Sequence, residues 1–139
     1  MAGLFWNARG LGDPEKFTFI KNALVEFQLR FICIQETKKT TYNLAWLESV
    51  SGNCPFSWCF VPAVGQSGGL LSGINTDFYD ILDSEKGCHH IRFLVRDRKN
   101  GEKLNIVNVY GASHNKDKEY FLVELVHICN SNAFPIIVG

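Results

Sequence analysis

The segment FICIQETKK, Phe31 to Lys39, changes character halfway along. Phe31 to Ile34 are apolar without alternation, which is the pattern of a strand covered on both faces. The chain then presents an amide, a carboxylate, a hydroxyl and two ammonium groups in succession. In α/β folds, chemistry collects beyond the carboxyl ends of strands, on loops that a rigid sheet holds in place. The segment therefore reads either as an ordinary strand-to-loop transition or as a strand whose end, at Glu36 and Lys38, faces a site.

On the N-terminal side, Leu4 to Asn7 is a short apolar run closed by the turn-prone ARGLGD. Asp13 is placed to cap a helix with Pro14 at its first position, where the missing N–H costs nothing. Phe17, Ile20, Leu24 and Phe27 form its apolar stripe. On the C-terminal side, Thr40 or Thr41 caps a second helix whose inward residues are Leu44, Leu47 and Val50, with Gly52 as its stop. Strand-like segments follow: SWCFVPA, SGGLLSGI, DFYDILD, HHIRFLVRD and KLNIVNVYG. RDRKNGEK, with Asn100-Gly101, reads as a hairpin connection. A third helix is expected over about Lys116 to Asn130, and FPIIVG supplies a last strand. The order β-α-β-α, several β, then α-β fits one α/β domain with antiparallel hairpins flanked by helices.

Composition narrows the function classes. With 46% hydrophobic and 20% charged residues, the 139-residue chain has the balance of a folded domain, and disorder is not expected. Its net charge of zero argues against a broad basic surface, though not against positive charge around one cleft. Five cysteines (33, 54, 59, 88 and 129) show no CxxC spacing and read as reduced thiols in an intracellular, soluble protein, with no disulfide partner expected. No run approaches the roughly 18 apolar residues that cross a bilayer, so no membrane partner is expected.

Three strand ends carry polar clusters: Trp6-Asn7 with Arg9, Gln35-Glu36-Thr37-Lys38, and Asn108-Val109-Tyr110-Gly111. If they meet at one edge, oxygen ligands suit a hard divalent ion, while cations and a phenol suit phosphate oxygens. Each residue also has a plain structural explanation. Asn7 can satisfy its own loop backbone, Glu36 can pair with Lys38 or Lys39, and Tyr110 can be an amphipathic core-edge residue. Asn108 reads as a buried polar residue bonded to a neighbour, and Ser67-Gly68-Gly69 as a place where a strand turns tightly.

WNARGLG, FICIQETKK, SGGLLSGI and LNIVNVYGA, in this order and spacing, resemble the endonuclease/exonuclease/phosphatase superfamily. The pattern is most similar to the apurinic-type endonuclease domain of plant non-LTR (LINE-type) retrotransposons. The resemblance implies a layered α/β sandwich of two packed mixed sheets flanked by helices, of which this chain is the N-terminal part. It implies phosphodiester or phosphate-ester hydrolysis with Mg²⁺ or Mn²⁺, with DNA as the partner and a nuclear location. Carried over by motif, Glu36 is the metal-ligating carboxylate, Asn7 organises the metal and phosphate, and Tyr110 contacts the scissile phosphate. Arg9 and Lys38 become candidate phosphate contacts. Some relatives have an acidic residue where this chain has Arg9, which makes a second metal there less expected. The family's base histidine belongs to a later Ser-Asp-His motif, so His114 is read as a loop residue.

After PIIVG the family continues with a Gly-Asp-Phe-Asn type motif, which these 139 residues do not contain. We therefore expect residues 1–139 to be a truncated domain lacking its C-terminal half, inactive alone, with an open apolar sheet face. A catalytically dead retrotransposon remnant and a fragment of a phosphatase acting on small phosphoesters are the alternatives.

Overall fold

The computed structural model describes residues 2–65, 67–110 and 134–139. Its elements run β1 (Gly3–Asn7), α1 (Pro14–Phe27), β2 (Phe31–Gln35), α2 (Leu44–Ser51), β3 (Phe56–Val61), β4 (Leu70–Asn75), β5 (Tyr79–Lys86), β6 (His90–Asp97), β7 (Lys103–Val109) and β8 (Ile136–Val138). The third expected helix and His114 lie outside the described residues.

The strands form two four-stranded mixed sheets, ordered β1-β2-β4-β3 and β5-β6-β7-β8. In the first, β1 and β2 are parallel and the remaining pairs antiparallel; in the second, only β7 and β8 are parallel. The hairpin at Asn100-Gly101 forms as its sequence implies. Gly101 takes a φ of 75° and donates to the Asp97 carbonyl at 2.8 Å.

Strand β2 explains the continuous apolarity of its sequence. Ile32 and Ile34 pack with Ile20, Leu24, Leu47 and Val50, so α1 and α2 cover that face. Phe31 and Cys33 point the other way, into a core with Tyr79, Ile91, Phe93, Val95 and Ile106 from the second sheet. Each such side chain, fully buried, contributes about 1.5–3 kcal/mol. The open inner sheet face expected above is not found among the described residues, because the two sheets cover each other.

Local signals are met in part. Asp13 caps α1, its side chain accepting from the Glu15 N–H at 2.9 Å, and Pro14 follows. Phe27 is 58% exposed rather than inward. The helix ends there, Gln28 turns left-handed, and Leu29 takes the buried place. The second helix is capped by Asn43 rather than Thr40 or Thr41, its Oδ1 accepting from Ala45 N–H at 2.8 Å. The later start leaves Leu44 at the first helical position, where it is exposed; Leu47 and Val50 are buried as expected.

Candidate active site

Strand direction brings the polar clusters to one end of the sandwich. Asn7 pairs with Gln35 across the parallel β1–β2 ladder, and Gln35 also pairs with Leu70 at the start of β4. In the second sheet, Val109 at the end of β7 pairs with His90 at the start of β6. A bond between the two sheets joins these ends, Gln35 Nε2 donating to Asn108 Oδ1 at 3.0 Å. Asn7, Glu36 and Tyr110 thus sit at the same edge.

The backbone there is unusual. Arg9, Glu36 and Lys38 adopt φ of 52°, 53° and 56°, a left-handed conformation that non-glycine residues seldom take. Each costs on the order of 1 kcal/mol or more and persists only where surrounding bonds enforce it. They do so here. Gly10 N–H donates to Glu36 O at 2.7 Å and Leu11 N–H to Thr37 O at 3.0 Å, while Lys38 N–H donates to Gly68 O at 2.9 Å. The segment after β2 is held between the loop after β1 and the turn before β4.

That turn requires glycine. Gly68 and Gly69 have φ of 77° and 94°, and a Cβ on Gly69 would collide with Thr37 Oγ1. The tight turn expected at Ser67-Gly68-Gly69 is present, and it lets the β4 backbone press against Thr37 and Lys38.

The positive φ at Glu36 has a directional consequence. Unbroken alternation would place Glu36 with Ile32 and Ile34, under the helices. The left-handed backbone at Glu36 ends that alternation. Partial burial raises the Tyr110 phenol above its ordinary range, and the Glu36 charge adds to the effect. The Tyr110 ring also lies 4.0 Å from the position of a Cβ on Gly68, whose carbonyl holds Lys38.

The expected residues differ in what they touch. Asn7 Oδ1 accepts from its own loop, from Arg9 N–H at 3.2 Å, as the plain reading allows. Lys38 Nζ is 3.9 Å from Glu36 Oε1, an ion pair too long for a hydrogen bond. Arg9 makes no ion pair with a carboxylate among the described residues. Lys39 lies over Tyr42 and Trp46, 5.5 and 5.6 Å from the ring centroids.

Lys16 escaped the sequence reading. Its ammonium donates to the carbonyls of Ala8 (2.6 Å), Arg9 (3.2 Å) and Gly10 (2.9 Å), tying α1 to the loop that carries Arg9. Nothing in its spacing distinguishes it from any other first-turn lysine.

The donor set is oxygen-rich and contains one carboxylate. No group of three or more His, Cys, Asp or Glu converges among the described residues. Glu36 with Asn7 is compatible with Mg²⁺ or Mn²⁺ that keeps most of its water. A carboxylate, a phenol and cations around one opening can bind an anionic ester and stabilise added negative charge on it.

No protein-family model and no curated protein matches the chain. Solved structures do. The catalytic domain of human Nocturnin with bound sulfate aligns at a TM-score of 0.63 and 15% identity, over 96% of this chain and 60% of that one. An endonuclease/exonuclease/phosphatase family protein from Bacteroides thetaiotaomicron gives 0.67 and 14%, over 98% and 59%. The AP endonuclease LMAP from Leishmania major gives 0.65 and 15%, over 98% and 53%. At these identities the likeness is one of fold. The chain shares the two-sheet α/β sandwich of these structures, and spans less than two thirds of the length of each of the three.

Proposed function

We propose that residues 1–139 are the N-terminal part of a divalent-metal-dependent phosphodiesterase acting on DNA, of the retrotransposon endonuclease type. The observation that carries this reading is that Asn7, Glu36 and Tyr110 lie at one strand-end edge of the two sheets, with Glu36 in left-handed backbone beyond β2. The motif resemblance and the shared fold support it.

In this reading Glu36 and Asn7 hold Mg²⁺ or Mn²⁺, which supplies Lewis-acid stabilisation of charge on a phosphate. Tyr110 donates its O–H to a non-bridging phosphate oxygen. A phenol carries its proton at neutral pH, and partial burial with the neighbouring Glu36 charge shifts Tyr110 further in that direction. Arg9 and Lys38 place the neighbouring phosphates of a strand, and Lys16 keeps the Arg9 loop in position. With one carboxylate at the site among the described residues, ion binding is weak and the 139 residues alone do not cleave DNA above background.

Paramagnetic broadening by Mn²⁺ tests the site without requiring turnover. Resonances of Asn7, Glu36 and Tyr110 are expected to broaden first, and Glu36→Gln to abolish the effect. Broadening centred on Asp80, Asp83 or Glu85 would defeat the assignment. For inactivity, supercoiled DNA with Mg²⁺ should remain intact; a nick that vanishes in Glu36→Ala would show the chain to be competent by itself.

A further inference from the structure

Asn108 lies on β7, two residues before Tyr110, and is fully buried. Its Oδ1 accepts from Gln35, and its Nδ2 lies 3.1 Å from Ile34 O, 3.2 Å from Leu71 O and 3.0 Å from Ser72 Oγ. One amide of the second sheet is therefore bonded to both β2 and β4 of the first. A leucine or valine would fill the same space without the cost of burying an amide. What an apolar residue cannot supply is direction. Hydrophobic contact between sheets is non-directional and tolerates sliding, whereas hydrogen bonds weaken steeply once angle or distance departs from a narrow range.

We propose that Asn108 and Gln35 are positioning residues: an amide clamp between the sheets that fixes the separation of Glu36 on one sheet from Tyr110 on the other. Each clamp residue is close in sequence to the group it places, Gln35 next to Glu36 and Asn108 two residues from Tyr110. Both are neutral, so they hold the site without adding charge to it. The inference rests on the reading of Glu36 and Tyr110 as one site.

The test is the electrostatic coupling between those two residues. The phenol of Tyr110 is titrated by NMR in the 139-residue chain, with Tyr110→Phe assigning the resonance. Glu36→Gln is expected to lower its pKa, because it removes a neighbouring negative charge. The same pair is then compared in a Gln35→Met background, which keeps the side-chain volume at a half-buried position and removes the donor. The shift caused by Glu36→Gln should fall by about half or more, since charge coupling drops with separation and solvent entry. A merely structural role would lower the melting temperature and leave that shift unchanged, which would overturn the clamp while the site survives. If Glu36→Gln leaves Tyr110 unmoved in the native background, the site reading fails and the clamp with it. Should Gln35→Met not fold cooperatively, Ser72→Ala removes one acceptor from Asn108. A partial loss of coupling is then expected, and full retention counts against the proposal.

Discussion

The two ends of the sandwich are joined in opposite ways. At the end away from the candidate site, Arg30, just ahead of β2, crosses to Asp97 at the end of β6 at 3.2 Å and stacks 4.6 Å over the Phe78 ring. Arg96 and Arg98 both reach Asp80, at 3.4 and 3.0 Å. These three arginines are paired with carboxylates where they stand. At the site end the sheets are joined by the neutral Gln35–Asn108 pair. Of the charges nearest it, Lys38 is loosely paired with Glu36, Lys39 is set over aromatic rings and Arg9 has no carboxylate partner among the described residues, while farther out on the second sheet Glu85 and Asp83 hold His90 and Arg92 at 2.9 Å. A net charge of zero hides this asymmetry. The contrast lies in Arg9, Lys38 and Lys39, which no close carboxylate pair holds among the described residues, whereas Arg30, Arg96 and Arg98 are each paired at 3.4 Å or less.

The contrast can be broken first at Asn108. Asn108→Leu should cost about 3 kcal/mol, because carbonyls of Ile34 and Leu71 lose their buried donor. Arg30→Met at the other end should cost on the order of 1 kcal/mol, since a partly exposed pair and a ring contact are lost. Urea denaturation in low and high salt separates the two. The Arg30 effect should shrink in about 1 M salt and the Asn108 effect should not. A larger loss at Arg30 would invert the account of the two ends.

Gly69→Ala sharpens the comparison within the site end. The φ of 94° and the collision with Thr37 should together cost about 2 kcal/mol or more. Gly12→Ala is the control, because no atom lies within 4 Å of its would-be Cβ, and its midpoint should hardly move.

The smallest effect concerns pH. Burial pushes the Tyr42 phenol and the Cys33 thiol each up to about 12. A group with a raised folded pKa contributes stability that is complete below its unfolded value and is lost as pH rises towards the folded one. Unfolding midpoints should therefore fall between the ordinary values, 9.0 for Cys33 and 10.0 for Tyr42, and about pH 12. Tyr42→Phe should flatten the upper part of that decline. The Tyr42 hydroxyl is buried without a well-formed hydrogen bond among the described residues, although it neighbours the Thr37 side chain. Its removal should consequently alter neutral-pH stability by less than about 1 kcal/mol. At the opposite end the direction reverses. Backbone N–H donors, led by Lys99, and the Arg30 guanidinium lower the Asp97 carboxyl, so the stability it contributes is present at neutral pH and lost in acid.

Several elements were legible because their causes are local. Asp13-Pro14 starts α1, Asn100-Gly101 turns a hairpin, and uninterrupted apolarity marks β2 as covered twice. The α2 cap was misplaced because Thr40, Thr41 and Asn43 all suit the position chemically, and only the path out of β2 selects among them. Phe27 was misjudged because periodicity does not say where a helix ends. The candidate site residues could be named through motif resemblance, but their position at one edge could not. Gln35 and Asn108 are 73 positions apart, and no local pattern pairs them.

By itself, then, the amino-acid sequence determined the kinds and order of the described elements, the doubly buried strand and the three polar strand ends, since propensity, periodicity and turn chemistry act over a few residues. Tertiary structure alone decided that the helices and the second sheet take opposite faces of β2, that Arg9, Glu36 and Lys38 are forced into left-handed backbone, and that one buried amide joins the two sheets at this edge. Those features depend on which distant groups are brought within bonding distance, and that is settled only when the two sheets close on each other.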